Sequence, residues 1–69
     1  LVPGSSNIRD LNRLMNWHFP TKGPKTLSGV IIEHLENLPQ EGICLVVSGY
    51  KVEVVKVKEN KIDLVKVFI

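Results

Sequence analysis

Three side chains of this 69-residue chain could bind a metal ion, namely His18, His34 and Cys44. Their spacing matches neither the paired-cysteine pattern nor the His-Glu-x-x-His pattern of known zinc sites. We therefore expect no metal site. The two histidines are predicted to be surface or partly packed residues, and the cysteine is predicted to be an ordinary strand residue.

Catalytic chemistry is equally poorly supported. A cysteine nucleophile needs a histidine beside it and a positively charged setting, whereas the predicted strand pairing places Cys44 opposite Glu53. Glu33 and Glu36 are neighbours on a predicted helix surface, where a solvated polar face is the ordinary explanation. The five glycines are scattered singly and form no strand–loop–helix phosphate-binding motif. We expect no catalytic residues and no enzyme activity.

The one aromatic cluster in the sequence is Trp17-His18-Phe19. Packing into the core is the ordinary role of such rings, and it is the interpretation we favour. The alternative is that the three residues stack against a planar ligand, such as a flavin or a nucleotide. Trp17, His18 and Phe19 are therefore the candidate cofactor-binding residues, if any small ligand binds.

Length and composition predict one small folded domain. The hydrophobic fraction of 43% argues against disorder. Domains of this size often take stability from a partner or from a longer chain, so we expect a piece of a larger protein. A single cysteine excludes an internal disulfide framework and fits a reducing compartment. The net charge of +2 does not favour nucleic acid or anionic lipid, and the apolar runs are too short to enter a bilayer.

Two helices are predicted before the last third of the chain. The first spans residues 8–16, with Asn7 as its N-cap and an apolar stripe of Ile8, Leu11, Leu14 and Met15. A loop rich in proline and glycine follows. The second helix runs from residue 27 to residue 38, with Thr26 as N-cap and Pro39 as its end. Its apolar stripe consists of Leu27, Val30, Ile31, Leu35 and Leu38. Gly29 weakens its first turn, which suggests close packing at that position.

The segment "ICLVVSGYKVEVVKVKENKIDLVKVFI" predicts three antiparallel strands joined by two-residue turns at Ser48-Gly49 and Glu59-Asn60. These turns define the register, with a cross-strand pair between Glu53 and Lys66 on the solvated face. The opposite face should be covered by the second helix, which makes an α+β fold. That face collects nine apolar residues, namely Ile43, Leu45, Val47, Tyr50, Val52, Val54, Val65, Val67 and Ile69.

The polarity inverts at the tip of the second hairpin. Strict alternation places Lys56 and Asp63 on the core side. It places four apolar residues on the solvated side, namely Val55, Val57, Ile62 and Leu64. Strong twist could carry this tip under the first helix or under the aromatic cluster. Alternatively, the four side chains form a partner-binding patch.

Three segments of the sequence resemble a known family. They are "IRDLNRLMNWHFP", "GPKTLSGVIIEHLENLPQEG" and "SGYKVEVVKVKENKIDLVKV". In this order they resemble the CorC/HlyC transporter-associated domain, which would make residues 1–69 a single domain of that type. The start "LVPGSS" is reminiscent of the protease-site remnant of a recombinant tag. Because the family commonly has Gly-Ser before its Arg-Asp-Leu-Asn segment, Gly4-Ser5 is expected to be native. Residues 1–6 are expected to form an extended lead-in.

The resemblance implies a context for the domain. It implies an accessory or regulatory domain of a bacterial hemolysin-like or magnesium/cobalt efflux protein, on the cytoplasmic side of the inner membrane. Its expected partners are an upstream pair of CBS modules and a transmembrane domain, with a homo-oligomer left open. The family fold is also similar to a subdomain of FAD-binding PCMH-type flavoenzymes, so FAD is the one cofactor considered. Since no pyrophosphate loop is recognisable, no cofactor is expected.

Overall fold

Two tight hairpins build most of the sheet, as the turn residues predict. Residues 1–68 are described by the computed structural model, and Ile69, which we assign to the core face, lies outside them. Ser48 and Gly49 have φ of 51° and 85°, and Glu59 and Asn60 have φ of 53° and 63°. Positive φ at both central positions is the requirement of a type I′ turn. The elements are β1 (Val2–Pro3), α1 (Ile8–Met15), α2 (Leu27–Leu35), β2 (Cys44–Val47), β3 (Tyr50–Lys58) and β4 (Lys61–Phe68).

The predicted register is confirmed along most of both hairpins. Val47 pairs with Tyr50 beside the first turn, and the pairing continues to Cys44 opposite Glu53. In the second hairpin the pairing includes Val52 with Val67, Glu53 with Lys66, Val54 with Val65 and Val57 with Ile62. Because the residues beside each turn fix the alternation of faces, these pairs place the predicted core face on one side of the sheet.

The sheet has four strands, not the three that we predicted. Its order is β1-β4-β3-β2, with every neighbouring pair antiparallel. The additional strand, β1, pairs Val2 with Val65 and Pro3 with Leu64. Residues 1–6 are therefore partly built into the sheet and are more than a lead-in. A two-residue strand shows no periodicity that the sequence could reveal.

The N-terminal segment is also bonded to the start of α2. The Gly4 N–H donates to the Asp63 carbonyl at 2.9 Å, and the Gly4 carbonyl accepts from the Ser28 N–H at 2.8 Å. Further along, the Ile8 N–H donates to the Lys25 carbonyl at 2.8 Å. The segment thus joins β4 to α2, and its buried backbone groups are satisfied on both sides.

Helix α1 begins as predicted, with the Asn7 Oδ1 accepting from the Arg9 and Asp10 N–H groups. Its apolar stripe is shorter than predicted, because Ile8 and Leu11 are buried while Leu14 and Met15 are exposed. The left-handed residue Asn16, with φ of 57°, turns the chain after the helix. Trp17 and Phe19, which follow that turn, enter the core instead.

Helix α2 begins after its predicted cap, where the Thr26 Oγ1 accepts from the Gly29 N–H at 3.2 Å. It ends at Leu35, three residues before the predicted end. Glu36 adopts φ of 58°, and its N–H donates to the Ile32 carbonyl at 3.1 Å, which terminates the helix ahead of Pro39. As a result Leu38, predicted to lie in the core, is 70% exposed.

The two helices form one layer that covers one face of the sheet. Leu27, Val30 and Ile31 of α2 are buried with Ile8 and Leu11 of α1, and the sheet contributes its predicted face. Four members of that face are fully buried, namely Val47, Val52, Val54 and Val65. Leu45, Tyr50 and Val67 pack against them, and Ile43 is half-buried. The α+β prediction is therefore confirmed, with an added edge strand.

Candidate functional site

The aromatic cluster is part of the core. Trp17 is 7% exposed and Phe19 is 2% exposed. Their rings meet edge to face with centroids 5.7 Å apart, and the Tyr50 ring lies 6.0 Å from Trp17 and 5.0 Å from Phe19. Tyr50 lies 31 positions beyond Phe19, so its place in this cluster cannot be inferred from spacing along the chain. Because the three rings cover one another, Trp17 and Phe19 offer no open face on which a flavin could stack.

A side-chain amide holds this cluster in place. The Phe19 N–H donates to the Asn12 Oδ1 at 2.9 Å, and the Asn12 Nδ2 donates to the Phe19 carbonyl at 2.9 Å. His18 is exposed, and its backbone N–H donates to the Tyr50 hydroxyl at 3.2 Å. Asn12 belongs to the Arg-Asp-Leu-Asn segment that carries the family resemblance. Its contacts give that residue a structural role.

The metal candidates lie on different elements. His18 is in the loop after α1, His34 is near the end of α2, and Cys44 begins β2. The His34 Nδ1 lies 2.9 Å from the Val30 carbonyl and so carries the proton of that hydrogen bond. Within residues 1–68 the structure contains no group of three histidine, cysteine, aspartate or glutamate residues that could hold a metal ion.

A register irregularity explains the inverted polarity of the second hairpin. Val54 pairs with Val65, but the next pair is Lys56 with Leu64, and the following pair is Val57 with Ile62. Unbroken pairing from the Glu59-Asn60 turn would place Val55 opposite Leu64, but Lys56 takes that position. Two compensating register shifts leave Val55 on β3 and Asp63 on β4 without a partner. The alternation of both strands therefore changes near the tip, and the pairing returns to the predicted register at Val57 and Ile62. Beyond these shifts, Val57 and Ile62 point toward the core side, while Lys56 and Asp63 are exposed.

The predicted four-residue patch is therefore divided. Ile62 is 2% exposed and belongs to the core, so it cannot contact a partner, and Val57 packs against the core. Val55 and Leu64 remain half-buried on the outer face of the sheet, next to Pro3. The tip lies against the N-terminal segment and the first turn of α2. Gly4 and Ser28 lie against it, and the Ile62 N–H donates to the Ser28 Oγ at 3.1 Å.

The outer face of the sheet is partly apolar. One row across the strands contains Val46, Lys51 and Phe68, and Val46 is 65% exposed. The Nζ atoms of Lys51 and Lys66 lie 5.2 Å and 5.1 Å from the Phe68 ring centroid. Glu53 and Lys66 are paired in the register but form no ion pair within 4 Å. Among the described residues, the ion pair at that distance is Arg13 with Asp10. Lys66 lies over the ring.

Two surface depressions adjoin the helix starts. One, of about 520 Å³, lies beside the first residues of α1, between Asn7 and Lys25. The other, of about 550 Å³, lies between the first turn of α2 and the hairpin tip, and its charged residues alternate in sign from Lys58 and Glu59 to Lys61 and Asp63. Because these charges largely cancel, the second depression favours neither anions nor cations. No helix within residues 1–68 has the length and apolar character needed to cross a membrane.

Comparison with known proteins gives a family and its context. All of residues 1–69 match the model of the family described as Transporter associated domain, CorC_HlyC. The chain is 39% identical over 67 residues to a UPF0053 protein of Haemophilus influenzae. It is 37% identical over 68 residues to the UPF0053 inner membrane protein YfjD of Escherichia coli. These alignments cover 97% and 99% of this chain but 16% of the length of each relative.

Solved structures show the same fold. A conserved Haemophilus influenzae protein of unknown function superposes with a TM-score of 0.93 at 39% identity, over 97% of this chain and 83% of that one. A Neisseria meningitidis region associated with a candidate Mg²⁺ and Co²⁺ transporter (CorC) gives 0.84 at 18% identity, over 96% and 82% of the two chains. The transporter associated domain of a Porphyromonas gingivalis CBS domain protein gives 0.81 at 22% identity, with the same coverage.

Proposed function

Because this chain belongs to the transporter associated domain family, we propose that it is a non-catalytic accessory domain of a bacterial membrane ion transporter. The observation that carries the proposal is the match to about one-sixth of a relative that is an inner membrane protein. The remainder of such a protein has room for the transport pathway. The domain then contributes through protein–protein contacts and lies on the cytoplasmic side of the membrane.

The proposed direction, efflux, rests on the family resemblance alone, and the proposed cargo is a divalent cation. The support is the Neisseria meningitidis neighbour, whose associated transporter is described for Mg²⁺ and Co²⁺. The proposed partners are a CBS pair and a transmembrane domain in the parent chain, and the Porphyromonas gingivalis neighbour is a domain of a CBS protein. Both neighbours share less than 25% identity with this chain, so they support the fold directly and the cargo only by analogy.

The contact surface we propose for this role is the outer pair, Val55 and Leu64. Both side chains are half-buried on the outer face, beside the register shifts and the β1 edge. An irregularity of this kind changes the direction of nearby side chains and interrupts regular pairing, so this corner of the sheet has a defined shape. Apolar side chains at such a corner gain free energy when a partner covers them, at about 25 cal/mol per Å² of apolar surface buried.

The test uses the full-length parent protein in cells, with cellular Mg²⁺ and Co²⁺ measured after loading. We expect deletion of the domain to change the efflux rate or its dependence on internal metal. The double variant Val55→Lys/Leu64→Lys should reproduce that change. A matched control is Leu14→Lys/Leu38→Lys, which places the same charges at two exposed leucines away from the outer face. Membrane abundance of each variant is measured by immunoblot.

The possible results separate the proposals. Efflux that is unchanged by deletion of the domain, at equal abundance, would overturn the accessory role. A deletion effect that the outer-pair variant does not reproduce would keep the accessory role and overturn the contact surface. An equal effect of the control variant would also overturn the surface, since any added charge would then suffice.

A further inference from the structure

Strand β2 is an edge strand whose outer backbone groups can be identified. The Val54 N–H donates to the Ile43 carbonyl at 2.8 Å, and the Val54 carbonyl accepts from the Gly42 N–H at 2.7 Å. Since bonding direction alternates along an antiparallel ladder, Leu45 and Val47 bond to β3. Cys44 and Val46 then direct their N–H and C=O groups away from the sheet. Two residues thus present four backbone hydrogen-bonding groups at the open edge.

The β1 edge and the part of β3 that extends beyond β2 are protected against strand addition, whereas β2 is not. Pro3 lies in β1 at the opposite edge, where it has no N–H to offer. Where β3 extends past β2, the Val57 N–H donates to the Glu41 Oε2 at 3.0 Å, so a carboxylate occupies that edge. Strand β2 has the sequence CLVV, with no charge and no proline. Natural sheets normally protect an exposed edge with such residues.

The exposed side chains of β2 are the same residues that present the free backbone groups. Val46 is 65% exposed and Cys44 is exposed, while Leu45 is half-buried and Val47 is fully buried. An exposed β-branched residue on an unprotected edge favours strand addition. The edge is therefore suited to an extended partner in both its backbone and its side chains.

We propose that β2 pairs with β2 of a second copy of this chain, antiparallel about a two-fold axis through Leu45. In this alignment Cys44 lies opposite Val46 of the second copy, and Val46 lies opposite its Cys44. Both pairs are of the hydrogen-bonded type, so all four free groups of each strand are satisfied. The product is a continuous eight-stranded sheet. This proposal goes beyond the accessory role and does not depend on it.

The two neighbouring alignments, shifted by one residue in each strand, are less favourable because they extend beyond the ends of β2. A shift that places Cys44 opposite itself brings Val46 opposite Gly42, whose N–H is already bonded to Val54. The opposite shift places Val46 opposite itself and Cys44 opposite Ser48, which lies in the turn. Each shift loses the second hydrogen-bonded pair. A two-fold contact must be self-complementary, and the alignment about Leu45 meets that requirement best.

Charges around the joint are compatible with the pairing. On the outer face, Lys51 neighbours Val46 and Glu53 neighbours Cys44. The two-fold alignment therefore gives each row across the joint a lysine at one end and a glutamate at the other, and no like charges oppose each other. The pairing involves three residues of each β2 strand, Cys44 to Val46, so the isolated chain should associate weakly. In the parent protein, a shared assembly would raise the effective concentration of the two edges.

The first test is association of the 69-residue chain, measured by sedimentation velocity and by amide chemical shifts over a dilution series. We expect concentration-dependent association, with the largest shift changes at residues 44–47. Val46→Pro removes an outward N–H that β3 does not use, and Val46→Lys places a charge at the edge. Both should abolish association, whereas Val46→Thr, which retains the N–H and the β-branch, should keep it. If Val46→Pro does not fold, Val46→Lys still tests whether this edge mediates association.

The second test is a cross-link between copies. In the proposed alignment Val46→Cys places the new thiol opposite Cys44 of the second copy, at a Cα distance of about 5.5 Å that a disulfide can span. Oxidation of a mixture of ¹⁴N- and ¹⁵N-labelled protein should give mixed dimers linked between positions 44 and 46. Association that is absent at millimolar concentration, or that both edge variants leave intact, would overturn the proposal. Mixed dimers linked mainly between two Cys44 residues would overturn the alignment.

Discussion

The Gly4 Cα lies directly against the Ile62 carbonyl, and a Cβ added at Gly4 would be 1.9 Å from that oxygen. The two atoms nearest to that Cβ, the Ile62 carbonyl oxygen and carbon, are backbone, so no side-chain rotation could relieve the clash. Gly4 is therefore required by close approach of two chain segments. This contact joins the N-terminal segment to the hairpin tip, for which the sequence allowed either coverage by the rest of the chain or a partner-binding patch.

Replacement of Gly4 should be strongly destabilising. We expect Gly4→Ala to lower the free energy of unfolding by about 2 to 3 kcal/mol, because the segment must move away from β4 and loses its bonds to Asp63 and Ser28. For a domain of this size the melting temperature should fall by about 10 °C or more. Urea denaturation measures the change, and Ser5→Ala, at an exposed neighbour, is the control. Equal stability of the two variants would contradict the close packing.

Ser28 should matter through its hydroxyl. Ser28 is 8% exposed, and its Oγ accepts from the Ile62 N–H at 3.1 Å. In Ser28→Ala the Ile62 N–H stays buried without a partner, which should cost about 1 to 3 kcal/mol of stability. Hydrogen exchange of the Ile62 amide should become faster than that of other β4 amides. Uniform acceleration along β4 would instead indicate general destabilisation and contradict the specific role of this hydrogen bond.

The register of the two hairpins could be predicted because local residues determine it. A two-residue turn defines which residues pair, and Ser48-Gly49 and Glu59-Asn60 both accept positive φ. Once the turns were placed, alternation assigned Val52 and Val54 to the core. The start of α2 was predictable for the same reason, since Thr26 caps it through a contact three residues away.

What could not be predicted depends on contacts distant in sequence. The irregularity near Val55 was visible as inverted polarity, but it lies where β4 meets Gly4 and Ser28, and no periodicity encodes those contacts. Leu38 follows helical spacing but is exposed, because the left-handed Glu36 ends α2 before it. Leu14 is exposed although it lies within α1, and Trp17 and Phe19 enter the core beyond that helix. Tyr50 joins the aromatic cluster through tertiary packing alone.

Asn12 should stabilise the chain reversal that brings Trp17 and Phe19 into the core. In Asn12→Asp one carboxylate oxygen can still accept from the Phe19 N–H, but the other replaces a donor and faces the Phe19 carbonyl. We expect a loss of about 1 to 3 kcal/mol, since a half-buried hydrogen bond becomes repulsive. Urea denaturation followed by Trp17 fluorescence measures it. Asn37→Asp, at an exposed position, is the control and should change stability little.

FAD should not alter the fluorescence of Trp17. The indole is 7% exposed and packs against Phe19 and Tyr50, so a flavin cannot stack on it without opening the core. Titration of the chain with FAD, corrected for absorbance by the flavin, should give no quenching beyond that of free tryptophan. Saturable quenching together with a thermal shift would support the flavin alternative and contradict this account of the cluster.

Gly29 tests whether packing outweighs helix propensity. In an unobstructed helix, Gly→Ala stabilises by about 1 kcal/mol. Here an added Cβ would lie 2.7 Å from the Pro24 Cβ and 3.3 Å from the Thr26 Oγ1. Since the proline ring cannot rotate away, the loop before α2 must move and the Thr26 cap is disturbed, which should cost about 1 to 3 kcal/mol. We therefore expect Gly29→Ala to be destabilising or at best neutral. A gain of about 1 kcal/mol in urea denaturation would show that the loop yields freely.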